Sequence, residues 1–587
     1  MQRSTKTPAS GASAMAREAH GTSVWRALGL ICLASVVVYG NTLGNQFVFD
    51  DYDVFVNRTE ITSFTYVPEV LGLTTGDLSY RPVRLISYMG DYFFSGLDPL
   101  GYHVFNIFYH ILAGLFVFLV TFRMGKNYWF SSLTSIIFVV HPIQTDSVTY
   151  LSGRRDILFS LFYLMSFYYF LKYRNTPSFR YAFYVNLYYV LGLFSKEMAV
   201  TLPAAAFCYD LLQRLDGPGY LKRIWRSAIE ALRESRYLYV SLFTGAGVFT
   251  LYKTLISNPS TVEGYYGGTA AANFLTVAEI LVHYVFLLFF PITLNADYSY
   301  NAFPVVSSPF ELKALLSVAI LIAILCLVLR AVKRNRTMAF AGLWFFITLL
   351  PTCHIFPHHE LLAEHYLYLP LFGFALFSAC VVESLLRAFP HLKTVILGSV
   401  VLLVLTYSIR TMNRNADWKD DLTLWEKTVQ TAPNCARARG NYGKALMVDG
   451  KFEWAVSELN RALQIDPCFV TAFSNLGVAH AAMGRYDEAI MNFEKAIRFK
   501  PEFPEAYYNL GLTWAKKGDF SQARIAFEKA LDLEPDLAPA HYNLGTIYRE
   551  LGGLEKARHH FGRAMEIRPD SQGALQAQKA IEELGGG

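Results

Sequence analysis

Two adjacent carboxylates, Asp50 and Asp51, stand a few residues past the first apolar run of the chain. Further along come Arg81 before Pro82, His103 in Gly101-Tyr102-His103, His141 before Pro142 and the run Gly153-Arg154-Arg155-Asp156. The pair Lys196-Glu197, then Asp297-Tyr298 and Glu364-His365-Tyr366, complete the set. Adjacent carboxylates can raise one another's proton affinity, bind a divalent cation, or cap a juxtamembrane helix. Ionisable groups bordering long apolar runs are costly and tend to be functional. Singly, each Lys or Arg reads as an interface anchor with its stem along apolar surface. Several loops that each bring a charge or an imidazole are more than anchoring requires.

The elements that position these residues are apolar and long. Of 587 residues, 53% are hydrophobic and 17% charged, far from a soluble average. The net charge of +5 lies in short basic clusters between apolar runs, which is a topology signal, and no nucleic-acid motif accompanies it. The seven cysteines have no metal-ligand spacing; most fall in apolar runs (Cys32, Cys208, Cys326, Cys380) and read as small core residues. Spans of roughly 20 apolar residues are expected at 24–43, 103–121, 128–145, 157–172, 181–195, 197–212, 237–256, 312–330, 338–353, 363–387 and 393–411. Residues 1–23 then form a cytoplasmic tail ahead of an uncleaved first span. Five basic clusters (Arg123/Lys126, Lys172/Arg174/Arg180, Arg214–Arg236, Arg330–Arg336, Arg387/Lys393) all fall on the cytoplasmic side if 274–296 does not cross. That segment is therefore expected to be re-entrant or to lie along the outer surface, its helix ended by Pro291. The layout has about 11 spans and leaves the C-terminal part outside.

That C-terminal part repeats every 34 residues, marked by Pro433, Pro467, Pro501, Pro535 and Pro569. Asn441, Asn475, Asn509 and Asn543 keep the same interval, and Gly443, Gly477, Gly511 and Gly545 follow each by two. Gly450, Gly484, Gly518 and Gly552 mark turns, and Ala455, Ala489, Ala523 and Ala557 mark helix crossings. This is the tetratricopeptide (TPR) period, which builds a curved superhelix with a concave face. The domain plan is thus a tail (1–23), a transmembrane domain (24–411), a linker and half repeat (412–434), four repeats (435–570) and a capping helix with tail (571–587). The Asn ladder resembles that of the nucleocytoplasmic O-linked N-acetylglucosamine transferase, where it holds acceptor peptide. An amide offers donor and acceptor together; the alternative is that these Asn only tie repeats to one another.

The ordered set Phe49-Asp50-Asp51-Tyr52, Arg81-Pro82, Gly101-Tyr102-His103, His141-Pro142-Ile143-Gln144-Thr145, Gly153-Arg154-Arg155-Asp156, Lys196-Glu197 and Ala363 through Pro370 resembles the transmembrane and tetratricopeptide-repeat O-mannosyltransferases, their bacterial relatives and, more distantly, the protein O-mannosyltransferases. The family pattern has Arg where this chain has His365. A repeat array shorter than in the animal enzymes points to a bacterial member.

The resemblance implies an all-α protein, a polytopic GT-C-type bundle followed by an extracytoplasmic TPR superhelix. It implies an inverting hexosyltransferase that moves a monosaccharide, mannose, from a polyprenyl phosphate to Ser or Thr of exported proteins. An alcohol needs a base as its bond forms; the resemblance makes Asp50 that base and Asp51 its support. Arg154, Arg155 and Lys196, with Arg81 and His365 behind them, are expected to hold the donor phosphate, Arg154 and Lys196 foremost. His103 and His141 contact the sugar or fix loops, and Glu364 adjoins His365. Asn441, Asn475, Asn509 and Asn543 would bind acceptor peptide. No metal or other cofactor is expected, a divalent ion being the minority reading. The expected partners are the lipid-linked donor, the protein acceptor and membrane lipids, with no nucleic acid. The expected location is a bacterial inner membrane with periplasmic repeats, or else the endoplasmic reticulum with luminal repeats. The alternatives are the same chemistry on a glycan or lipid acceptor, or a non-catalytic membrane-anchored TPR scaffold.

Overall fold

The computed structural model describes residues 10–56, 58–72, 81–215, 220–256, 265–299, 302–308, 310–354, 360–569 and 572–585; residues 1–9 of the expected tail lie outside it. Helices of α, 3-10 and π type make up its regular structure, and no strand occurs among the described residues. It divides into two compact units: 1–296 with 304–424, and 297–303 with 425–587.

In the first unit, six helices are long and apolar enough to cross a bilayer: Val24–Gly44, Pro99–Arg123, Ala270–Phe289, Leu312–Arg334, Pro370–Ala388 and Pro390–Asp417. Five coincide with expected spans. The sixth is the segment expected to be re-entrant or to lie along the outer surface; it is one unbroken 20-residue helix that stops just before Pro291, and its length and composition are also those of a crossing helix. The other expected spans are helices too short (Tyr128–Val140, Phe179–Leu193, Leu202–Arg214, Arg336–Leu349) or too polar (Arg154–Asn175, Arg236–Ile256) to count on those grounds. Their starts are local chemistry. Asn127, Ser178, Thr269 and Asn335 each accept a hydrogen bond from a backbone N–H in the first turn, satisfying a donor the helix leaves open. Small residues let helices close. A Cβ on Gly114 would meet Val139 at 2.4 Å, and Ser135 Oγ donates to the Gly114 carbonyl at 2.6 Å. Of the cysteines expected in cores, Cys380 is buried, Cys32 and Cys208 are partly buried, and Cys326 is exposed on its apolar helix.

The second unit shows why its repeat has that period. Helix pairs Ala436–Val448/Phe452–Ile465, Val470–Ala482/Tyr486–Phe499, Pro504–Lys517/Phe520–Leu533 and Ala538–Glu550/Leu554–Ile567 are closed by the helix Gln572–Gly585. Each pair turns at a glycine with φ of 75–91° (Gly450, Gly484, Gly518, Gly552), a backbone that L side chains resist. The first-helix glycines face the partner helix so closely that a Cβ on Gly477 would lie 2.6 Å from the Phe493 ring. Gly511 and Gly545 meet Phe527 and Phe561 in the same way, and Ala455, Ala489, Ala523 and Ala557 are fully buried. One short stretch of sequence outside the repeats belongs here. Asp297, expected as an outer polar residue of the membrane part, is buried and takes a two-pronged contact from Arg437 (2.6 and 2.7 Å).

Candidate active site

The carboxylate pair is divided by its surroundings. Asp51 is fully buried: Oδ1 accepts from the Ser152 N–H (2.9 Å) and hydroxyl (2.7 Å), and Oδ2 from the Val48 N–H (3.2 Å). Asp50 is exposed. Between Val48 and Asp50, Phe49 has φ of 54°, a left-handed backbone that costs a non-glycine residue on the order of 1–2 kcal/mol. Such strain persists only where neighbours over-determine it. Here the Phe49 N–H donates to Asp421 (2.9 Å) and its ring stacks on Tyr150, which stacks on Trp418. The Gln46 N–H donates to the Lys419 carbonyl, and Asn45 to that of Asn415. The result is a rigid elbow with Asp50 at its tip.

Asp51 ties the elbow to the Gly153-Arg154-Arg155-Asp156 run. Gly153 is needed because a Cβ there would lie 2.6 Å from the Asp146 carbonyl oxygen. Arg154 and Arg155 then point differently. Arg154 is completely buried: Nε donates to Asn106 (2.6 Å), Nη2 to the Tyr102 carbonyl (3.0 Å), Nη1 pairs with buried Asp91, and the guanidinium lies over the Tyr88 ring. This corrects the expectation of Arg154 as a foremost phosphate contact, because internal partners occupy its donors. Arg155 stays partly exposed, 3.5 Å from Asp156 and 3.5 Å from His365 Nε2.

Around Arg155 the chain gathers further cations. Lys196 Nζ donates to Asp156 at 2.5 Å and lies over the Tyr366 ring. Burial holds its ammonium below the ordinary value, with Arg155 and Arg81 pushing the same way and Asp156 opposing. The next residue, Glu197, pairs with Arg81 at 2.9 Å. Arg84, one turn beyond Arg81, is 5% exposed, and its Nε has no hydrogen-bond partner. Burial, with Arg81, Arg155 and Arg58 close by, lowers Arg84 to about 10. Sequence reasoning missed Arg84; the Arg81-x-x-Arg84 spacing was its only signal. His365 is held by Asp146, which accepts from its N–H (3.0 Å) and from Nδ1 (3.2 Å). Glu360 lies 3.6 Å from His365 Nε2 and accepts from the Tyr366 hydroxyl. Asp146 and Glu360 were not anticipated either.

Tyr150 joins elbow and cations. Its phenol is pushed well up by burial and then by Asp50 and Asp51, while Arg155 draws it down. Tyr150 thus lies within electrostatic reach of both the carboxylate pair and Arg155. Three expected residues lie elsewhere. His141 is closed off: Nδ1 accepts from the Ile143 N–H, so Nε2 carries the proton and donates to the Leu288 carbonyl (2.9 Å). That is a loop-fixing role, as between the two readings offered for it. His103 is buried in the Pro99–Arg123 helix, within electrostatic reach of Arg154. Glu364 is buried and accepts from the backbone N–H of Asn295. Among the described residues no three His, Cys, Asp or Glu side chains are grouped to hold a metal ion. In the repeats, Asn543 donates to the Tyr508 hydroxyl (3.1 Å), a contact between neighbouring repeats. Asn441, Asn475 and Asn509 are partly exposed and show no such bond.

A family model described as dolichyl-phosphate-mannose-protein mannosyltransferase matches residues 67–230, and tetratricopeptide-repeat models match segments between 443 and 559. The first covers Arg81, Arg84, Arg155 and Lys196 and begins after Asp50. A protein O-mannosyl-transferase of Caenorhabditis elegans is 27% identical over 76% of this chain and 63% of its own length. The chain is similar to the protein O-mannosyltransferases. Human protein O-mannosyl-transferases TMTC1 and TMTC3 are 26% and 23% identical, over 75% and 73% of this chain. The chain spans 55% and 50% of their lengths. Among solved structures, MamA aligns with 25% of this chain and 86% of its own at 26% identity and a TM-score of 0.24.

Proposed function

We propose that the membrane unit transfers one mannosyl residue from a polyprenyl phosphate to a Ser or Thr hydroxyl of an exported protein. The observation that carries this reading is the elbow. Asp50 stands exposed on a strained, fully braced turn that Asp51 ties to Ser152, three residues before Arg155. In the step we infer, Asp50 takes the hydroxyl proton as the oxygen bonds to the anomeric carbon from the face opposite the phosphate. The bond from that carbon to the phosphate oxygen breaks, and the phosphate leaves with the electron pair, inverting the centre. Arg155, Lys196, Arg81 and Arg84 would meet the charge growing on that phosphate. A fixed donor aimed at such charge contributes about 3–4 kcal/mol. Arg suits a two-pronged phosphate contact and Lys a point contact. The isoprenoid tail would lie along the apolar faces between helices, so donor and enzyme share the bilayer.

The repeats, in the same proposal, capture the acceptor through Asn441, Asn475 and Asn509, whose amides read peptide backbone regardless of sequence. Asn543, bonded to Tyr508, serves the stack instead. We place this unit outside the cytoplasm, in the periplasm of a bacterial inner membrane. The scaffold alternative leaves the braced Asp50 and the cluster of Arg81, Arg84, Arg155 and Lys196 without a use.

The test is Asp50→Asn in purified full-length protein with a synthetic polyprenyl-phosphate mannose and an acceptor peptide. Transfer should fall about 10²–10⁴-fold, with the unfolding midpoint unchanged because Asp50 is exposed. Near-normal transfer removes Asp50 from the base role.

A further inference from the structure

We infer that the Tyr220–Glu234 helix is a membrane-surface anchor for anionic phospholipid headgroups. It lies apart from the candidate active site and packs on the helices Leu202–Arg214 and Arg236–Ile256 through buried Ser227 and Ala231. Its other face presents Trp225, Ile229 and Leu232, at helical spacing and 79%, 57% and 40% exposed. In water such a stripe is an uncovered liability. What covers it follows from the next helix, separated only by Ser235. Arg236–Ile256 turns Tyr237, Val240, Val248, Leu251 and Leu255 outward in one row. Averaged over all its faces this 21-residue helix is too polar to rank with the six apolar ones, but its outward row is apolar along the whole length and suits hydrocarbon, so the helix that abuts its first turn sits where hydrocarbon gives way to headgroups. Tryptophan prefers that depth, where its ring is apolar and its N–H wet.

Charge selects the kind of lipid. The helix carries Lys222, Arg223, Arg226 and Arg233 against Glu230 and Glu234. Both carboxylates are engaged, Glu230 by Arg226 (2.9 Å) and Glu234 by Arg214 (2.7 Å). The field facing outward is positive, and basic residues beside an apolar stripe are the pattern by which surface helices hold anionic membranes.

The experiment places a polarity-sensitive fluorophore on a cysteine at Ile229 in the full-length chain, its native cysteines replaced. The protein is held in nanodiscs of phosphatidylcholine alone or with phosphatidylglycerol. Emission should shift to the blue, and quenching by aqueous iodide should drop several-fold, more in the anionic discs. Arg223→Gln/Arg226→Gln/Arg233→Gln should abolish the difference between lipids. Arg226→Gln alone, a side chain 83% exposed, should reduce it without risk to the fold. Two results overturn the inference. One is a label as open to iodide as one at exposed Asp487, which would mean a face left for water or a protein. The other is equal protection in both lipids, which would mean apolar insertion without headgroup recognition.

Discussion

Asp51→Asn tests how the elbow is held. The buried Asp51 carboxyl accepts three hydrogen bonds, two from Ser152 and one from Val48. Burial nevertheless pushes it from 3.8 up to about 7, against those bonds and with the nearby Asp50 charge adding to the rise. A value higher in the folded than in the unfolded chain means that folding favours the proton. The associated stability is complete below pH 3.8 and is lost as pH rises through about 7. The gap between the two values is worth at most about 4 kcal/mol. Asparagine does not titrate. Its carbonyl can still accept from Ser152, but its NH₂ turns a donor toward the Val48 N–H, at about 1–3 kcal/mol. The variant should be less stable than the parent near pH 5, with the deficit shrinking or reversing near pH 8. Unfolding midpoints of the full-length protein in detergent across that range measure this. Transfer should show a lower kcat with donor KM little changed, because Asp50 remains but its elbow slackens. Parallel pH curves for the two proteins would refute the reasoning.

Arg154 and Arg155 should separate cleanly. Arg154→Met strands buried Asp91 and should cost about 3–5 kcal/mol of stability, read as a lower melting temperature. Arg155→Met should melt almost as the parent does yet lose about 10²–10³ in transfer; a folded, fully active Arg155→Met removes it from the phosphate site. In the repeats, Asn475→Ala with Asn509→Ala should weaken capture of an acceptor peptide, each lost amide contact worth about 1 kcal/mol. The melting temperature should barely move, since neither side chain bonds within the stack; unchanged peptide binding leaves those amides without a ligand role.

The repeat unit was legible almost in full from sequence, because its constraints are local and periodic. A left-handed turn at Gly484 and a ring packed on Gly477 recur every 34 residues, and period is what a sequence displays. The apolar helices of the membrane unit were legible by length, and the fold brings Arg155, Asp156, Lys196 and His365, which border them, into contact. What one chain of letters could not tell is which way neighbouring side chains point. Arg154 and Arg155 are the same residue type one position apart, yet a helix turns them about 100° from each other. One meets Asp91 and Asn106 inside, and the other meets His365 and Asp156 at the site. Asp50 and Asp51 divide in the same way, into an exposed tip and a buried brace. Asp146 meets His365 across 219 residues of chain, where no spacing rule reaches, and Arg84 left only its distance from Arg81 as a signal. Residue type sets what a side chain can do, and period sets the element it rides on. Burial and partner depend on which distant segments close over it, and the tertiary packing alone decides that.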